Sequence, residues 1–196
     1  MTMITDGTGS GRKAAVDSSN RLKINSSGHT FFEDAAENGL AFNLNTEDIT
    51  ISSGTSGDQA LFYIKNNEDK DLALVGWFIG IRDADRTSAT SDTNLFKLIT
   101  NPTGGTLISD AVEAEVANRT LGSPRVFDFD AYKASGGGKT LTGGDGVSVL
   151  YQYHTSGRTF GSVTLTLPRG ASLGITVDTY GAGFTLYTGF TGYLED

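Results

Sequence analysis

Apolar residues recur at every second position through most of this chain. The cleanest stretch spans residues 160–178. There Val163, Leu165 and Leu167 alternate with Ser162, Thr164 and Thr166, and Ala171, Leu173, Ile175 and Val177 alternate with Ser172, Gly174, Thr176 and Asp178. A period of two with one apolar parity describes a strand buried on one face. Pro168-Arg169-Gly170 interrupts the run. Proline cannot donate to a ladder and glycine accepts the positive φ of a tight turn, so the spacing predicts a β-hairpin over 160–178.

Similar patterns predict strands at 40–44, 48–52 (Ile49 and Ile51 inward) and 60–66, with turn compositions at 45–47 and 53–58 and a solvated hairpin loop at 66–71. Residues 72–81 (LALVGWFIGI) are continuously apolar, the mark of a strand covered on both faces, with Trp77 as a core or interface anchor. A polar loop at 82–94 leads to a strand at 95–100 and a turn at 101–105. Residues 107–119 read two ways. Asp110 with Glu113 suits a capping box, and Ile108, Val112 and Val116 recur at helical spacing. Alternatively Val112, Ala114 and Val116 form one face of a strand and Glu113 and Glu115 the other.

Residues 125–132 place Val126, Asp128 and Asp130 on one parity and Phe127 and Phe129 on the other. A Gly-rich excursion at 133–146 holds a short Thr140-Leu141-Thr142 strand, and Val147, Val149, Tyr151 and Tyr153 alternate down the next one. The last strand, 184–194, turns Phe184, Leu186 and Phe190 inward, and its glycines suggest close backbone approach or bulges. About ten short strands with no convincing helix predict an all-β fold: a jelly-roll-type antiparallel β-sandwich over 29–196.

Residues 1–28 are rich in Gly, Ser, Thr and Asp and hold too little apolar surface to fold alone. They read either as a disordered tail or as an extended N-terminal arm that adds strands to a neighbouring subunit or platform, since Leu22 and Ile24 alternate with charged and polar residues. Residues 29–38 are a connector in which Phe31-Phe32 pins the arm to the body. Only 37% of the chain is hydrophobic, yet those residues cluster into periodic runs, so a core is feasible. With no cysteine there is no disulfide framework, thiolate metal site or cysteine nucleophile. The net charge of −8 argues against nucleic acid as a main partner. That charge is uneven. Arg12, Lys13, Arg21 and Lys23 against Asp6 and Asp17 make residues 1–25 +2, which leaves −10 on the rest. No apolar run approaches the roughly 20 residues of a membrane span.

Candidate chemistry is thin. Gly136-Gly137-Gly138-Lys139-Thr140 lacks the first glycine and the following helix of a phosphate-binding loop, and reads as a turn. Asp128 and Asp130 share a strand face with Cβ atoms about 7 Å apart, but no cleft signature accompanies them. Asp83, Asp85 and Asp92 with Asp58 or Glu68 supply oxygen ligands without a calcium-loop spacing. His29 and His154 are far apart, and no nucleophile elbow accompanies His154. Tyr151, Tyr153, Tyr180, Tyr187 and Tyr193 with Trp77 could line a sugar platform, but aromatics on alternating strand positions are more often core or subunit interface. No catalytic residue, metal or cofactor is predicted.

Thr5-Asp6-Gly7-Thr8-Gly9-Ser10-Gly11, with Ala15-Val16-Asp17 and Asn20-Arg21-Leu22, resembles the N-terminal signature of a group of tailed-bacteriophage virion proteins. Ala41-Phe42-Asn43-Leu44, residues 63–69, residues 140–144 and residues 167–175 are similar to the same group, so the resemblance spans almost the whole chain. It implies a particle-building role, most plausibly a head decoration or cement protein on the capsid exterior. It also favours the strand at 107–119. The expected partners are the major capsid protein and the chain itself, as a dimer or trimer. The expected contacts are arm residues Arg12, Lys13, Val16, Arg21, Leu22 and Ile24. The alternative is a tail- or fibre-associated adhesin that binds host glycan through loops 82–94 and 133–146.

Overall fold

The structure, a computed structural model, describes residues 3–5, 13–15, 31–52, 54, 55, 57–84, 93–109, 112–153, 157–161, 165–178 and 183–195. The chain divides into two units, 1–31 and 32–196. In the first, β1 (Met3–Thr5) and β2 (Lys13–Ala15) form an antiparallel ribbon with Met3 opposite Ala15.

The helix α1 (Phe31–Glu37), where the sequence suggested only a connector, leads into the second unit. Glu33 and Asp34 in its first turn favour the positive end of the helix dipole. Its end is a Schellman cap: Leu40 N–H donates to the Ala35 carbonyl at 2.7 Å and Gly39 N–H to Ala36 at 3.1 Å, with Gly39 at φ 71°. Strands follow as β3 (Ala41–Asn45), β4 (Ile49–Ile51), β5 (Asp58–Asn66), β6 (Leu72–Ala84) and β7 (Thr93–Thr100). After the one-turn α2 (Thr106–Ser109) come β8 (Val112–Glu113), β9 (Glu115–Asn118), β10 (Phe129–Lys133) and β11 (Asp145–Tyr153). The chain ends with β12 (Gly157–Gly161), β13 (Leu165–Leu167), β14 (Ser172–Asp178) and β15 (Phe184–Leu194).

These strands make an all-β sandwich. One sheet runs β11-β7-β14-β5-β10-β8. The other runs β12-β6-β15-β3-β9, with β13 continuing beside β6 and β4 beside β15. Every strand pair described is antiparallel. Between the sheets lie Phe62, Ile64, Leu173, Ile175, Phe96 and Leu98 from the first, and Leu72, Leu74, Ile79, Leu186, Phe190 and Phe42 from the second, all fully buried. Burial of such side chains contributes about 1.5–3 kcal/mol each.

The continuous apolar run is explained by a bulge. In β6 the pairing with β15 slips between Gly192↔Leu74 and Thr191↔Gly76, so the inward parity changes from Leu72 and Leu74 to Trp77, Ile79 and Ile81. Trp77 is a core residue. Its indole N–H donates to Thr188 Oγ1 at 3.1 Å, and that hydroxyl donates to the Phe78 carbonyl at 2.7 Å. On the outer face the Tyr187 ring occupies the space over Gly80, where a Cβ would lie 2.1 Å from it. The outer face of the first sheet is covered by the Gly-rich excursion. Lys139 and Leu61 carbonyls accept from Ala60 and Ala134 N–H, and Leu141 sits where a side chain on Gly174 would be.

Two expected hairpins are not hairpins. β13 lies beside β6 in one sheet, whereas β14 lies between β5 and β7 in the other, so the turn at 168–170 carries the chain across the sandwich. The 66–71 loop likewise passes from β5 in the first sheet to β6 in the second. Alternation tells which side chains face the core; it does not say from which sheet they face it. The turn itself is as expected, with Ala171 N–H bonded to the Pro168 carbonyl at 2.9 Å and Gly170 at φ 82°. In 107–119 the strand reading holds and the capped helix does not, since the helical turn ends at Ser109 and Val112 and Val116 lie on strands. A helical turn at α2 precedes β8 and β9, and the chain changes sheets at Ala114, whose N–H donates to Ala131 at 2.9 Å.

Both crossovers meet at Asn66, which is fully buried. Its Nδ2 donates to the carbonyls of Leu167 at 2.8 Å and Lys70 at 2.9 Å, and its Oδ1 accepts from Glu68 N–H at 3.0 Å. Its own N–H donates to Ala171 at 3.0 Å and its carbonyl accepts from Gly170 at 2.7 Å. Asn66→Ala leaves those buried partners unpaired, at a cost of about 2–4 kcal/mol. Urea unfolding should show the midpoint falling accordingly; a loss under about 0.5 kcal/mol would mean water replaces the amide at no cost.

Candidate interaction surface

Among the side chains described, none of the metal, phosphate or sugar sites the sequence weighed is assembled; those of Asp83, Tyr151 and Tyr153 lie outside the described residues. Asp58 is held by Lys97, whose Nζ reaches its two oxygens at 2.8 and 2.9 Å. Glu68 takes Arg125 at 3.1 Å and Asp128 N–H at 3.0 Å. The five residues Gly136 to Thr140 belong to the excursion over β5, where Gly138 N–H donates to Gln59 Oε1 at 2.7 Å. Among the described residues no three His, Asp or Glu side chains cluster as for a metal ion. Trp77 is in the core, and Tyr187 and Tyr193 are half-buried, so no platform joins them. Tyr193 instead packs edge-on against Phe32 at 6.2 Å, and the Arg119 guanidinium lies 4.9 Å from that ring. Phe32 is thus fixed to the body, whereas Phe31 is 82% exposed. His29, Asp85, Asp92, His154 and Tyr180 lie outside the described residues. Of the arm contacts, Lys13 begins β2; Arg12, Val16, Arg21, Leu22 and Ile24 lie outside the described residues.

Two concave features remain. The first is an open cleft of about 510 Å³ lined by Asn45, Glu47, Asp48, Arg82 and Tyr187. Thr46 anchors it: its N–H donates to the Thr188 carbonyl at 3.0 Å, and its Oγ1 accepts from Thr188 N–H at 3.0 Å. Glu47 then adopts φ 57°, held by its N–H to Asn45 Oδ1 at 3.0 Å. Its carboxylate bonds Lys133, and that hydrogen bond, with the attraction of the ammonium, holds the carboxyl below its ordinary pKa. Arg82 pairs with Asp48 at 2.6 Å. Each charge named here already has a partner of opposite sign.

The second is a groove of about 280 Å³ at the sandwich edge formed by β8, β9 and β10. β8 ends one sheet and β9 the other. Its apolar wall is Ala114, Val116, Phe127, Phe129 and Ala131. Phe127 and Phe129 stack at 5.4 Å, and Phe42 meets them edge-on at 5.4 and 5.0 Å. Glu113, Asp130 and Tyr132 stand on the rim. Around it Val126 is 87% and Val112 45% exposed, and Leu121 in the adjoining loop is 99% exposed. Apolar groups gathered at an edge that no described strand pairs make this a candidate interaction surface. A sequence signal for it existed, since Val126 shares its parity with Asp128 and Asp130, where a solvated face calls for a polar residue.

The rim carries a negative field. The Tyr132 phenol is pushed above 10.0 by burial first, then by Asp130, by its stacking partner Tyr63 (5.9 Å) and by Glu113. The fold therefore favours the neutral phenol. This contribution is fully present below the unfolded tyrosine value and is lost as pH rises through the higher folded one. Asp130→Asn and Glu113→Gln should each lower the Tyr132 pKa in a site-resolved NMR titration, and Tyr132→Phe should soften the alkaline loss of stability. An unchanged titration in Asp130→Asn would remove the carboxylate from the cause.

Comparison with known proteins returned no matching family model, no matching curated protein and no matching solved structure.

Proposed function

We propose that this chain is a non-enzymatic virion structural protein, a head-decoration or cement subunit of a tailed bacteriophage that binds the major capsid protein from outside. The observation that carries this reading is the division of the chain. A basic segment, +2 over residues 1–25, belongs to a unit of its own, while the sandwich and the rest of the chain hold −10. The resemblance noted above agrees with it, and so does a strand path in which most connections cross between sheets, as jelly-roll winding requires. The mechanism is mechanical. Each subunit touches several neighbours, and simultaneous contacts of Arg12, Lys13, Val16, Arg21, Leu22 and Ile24 with shell proteins and with other copies of the chain add avidity that resists expansion of the shell. Deleting residues 1–26 should leave a folded, soluble body that no longer binds particles in co-sedimentation; retained full binding would sink the arm as the contact.

A second reading, a tail- or fibre-associated adhesin for host glycan, is favoured by the cleft at Tyr187. Arg82 opens one nominated loop and lines the cleft, and Lys133, which opens the other, is paired to Glu47 in its wall. Copy number in purified particles separates the two. Hundreds of copies support the shell protein, and a handful supports the adhesin.

A further inference from the structure

We infer that the groove at the β8–β9–β10 edge receives residues 20–25 (NRLKIN) of a second copy of this chain, so that neighbouring subunits exchange arms. The inference rests on reading residues 1–28 as a contact arm and says which partner their inner part meets; the outer ribbon, β1 and β2, is left for the shell.

The match is chemical. Residues 20–25 carry Leu22 and Ile24 on one parity and Arg21 and Lys23 on the other, with no acidic residue among them. The groove offers an apolar wall of Ala114, Val116, Phe129 and Ala131 beneath a rim of Glu113 and Asp130. An extended segment seats Leu22 and Ile24 about 7 Å apart along that wall. Arg21 and Lys23 then lay their aliphatic stems over the edge and carry their charges to the rim carboxylates. At about 280 Å³ the groove is smaller than the roughly 300–1,000 Å³ of small-molecule sites and suits a few aliphatic side chains instead. Ending both sheets, β8 and β9 also leave backbone groups for an added strand among the described residues.

Reach and symmetry favour a second copy. Phe32 is anchored beside Arg119, and α1 is tied to the loop after β9 by Asn118 Nδ2 to the Gly39 carbonyl at 3.0 Å and by Thr120 Oγ1 to Ala36. From Phe32 back to Ile24 an extended chain spans up to about 28 Å. The arm therefore starts from the sandwich edge that β9 closes, and two copies meeting at this edge can each fill the other's groove by one two-fold operation.

Because the chain has no cysteine, single thiols test this directly. Full-length Leu22→Cys is mixed with full-length Val126→Cys and oxidised mildly; Val126 is 87% exposed, so the substitution leaves the core intact. A disulfide-linked heterodimer is expected, at least tenfold above that formed with Val147→Cys on β11, the opposite edge of the first sheet. Arg21→Glu with Lys23→Glu should suppress the link about tenfold, and Glu113→Lys with Asp130→Lys in the partner should restore it. No heterodimer above the Val147→Cys control overturns the inference. So does a doubly substituted Leu22→Cys/Val126→Cys chain that links only within itself. If the link fails while particles still bind the full chain and not the chain lacking residues 1–26, only the exchange falls. If the link forms while the truncated chain still binds particles, the exchange stands and the arm is not the shell contact.

Discussion

One buried amide holds the two sheets in register. Asn66 sits where β5 leaves the first sheet and where the chain returns to it after β13, and its backbone and side chain satisfy both crossings. A sandwich corner is the place where ladder bonds stop while the backbone is still buried, so the orphaned carbonyls of Leu167 and Lys70 need a donor that no strand supplies. Asparagine fits because it brings two donors and one acceptor without a charge. The exposed Arg169–Asp69 pair clips the same turns together from outside, a contribution that solvent screening keeps small.

With the corner fixed, the core follows from parity and from the places where parity is reset. The bulge in β6 lets ten consecutive apolar-rich residues serve one inner face in two phases, and Trp77 enters the second phase with Thr188 as its polar partner. On the outer faces, glycines admit close neighbours: Tyr187 over Gly80 and Leu141 over Gly174. The Gly-rich excursion is therefore packed as a lid on the first sheet.

At the sandwich edge the constraint is the opposite one. A closed barrel removes strand ends, but an open sandwich keeps them, and the usual protections are charge, brevity and covering loops. β8 is two residues long and β9 four, both carry glutamates, and yet Val112, Val126 and Leu121 are exposed beside them. An edge left partly apolar inside an acidic rim complements a basic segment with one apolar parity, and the sequence at 20–25 has that composition.

The sequence by itself determined the all-β class, most strand positions and the inward parity, because a period of two is a local property of the pleat; the strand expected at 125–132 begins only at Phe129, and that at 140–142 is a single bridge at Thr142. Ile49, Ile51, Phe184, Leu186 and Phe190 face inward as their alternation requires. It also determined the charge division between arm and body. Only the tertiary structure decided which strands pair, since a turn such as Pro168-Arg169-Gly170 reverses the chain equally well within one sheet or between two. The short helices lay in segments whose packing partners are remote: Ala35 is buried by the body, and the Leu107 N–H of α2 donates to the Thr140 carbonyl. The groove was legible only as one valine on a polar parity, because its walls come from β8, β9 and β10, which the fold alone brings to one edge.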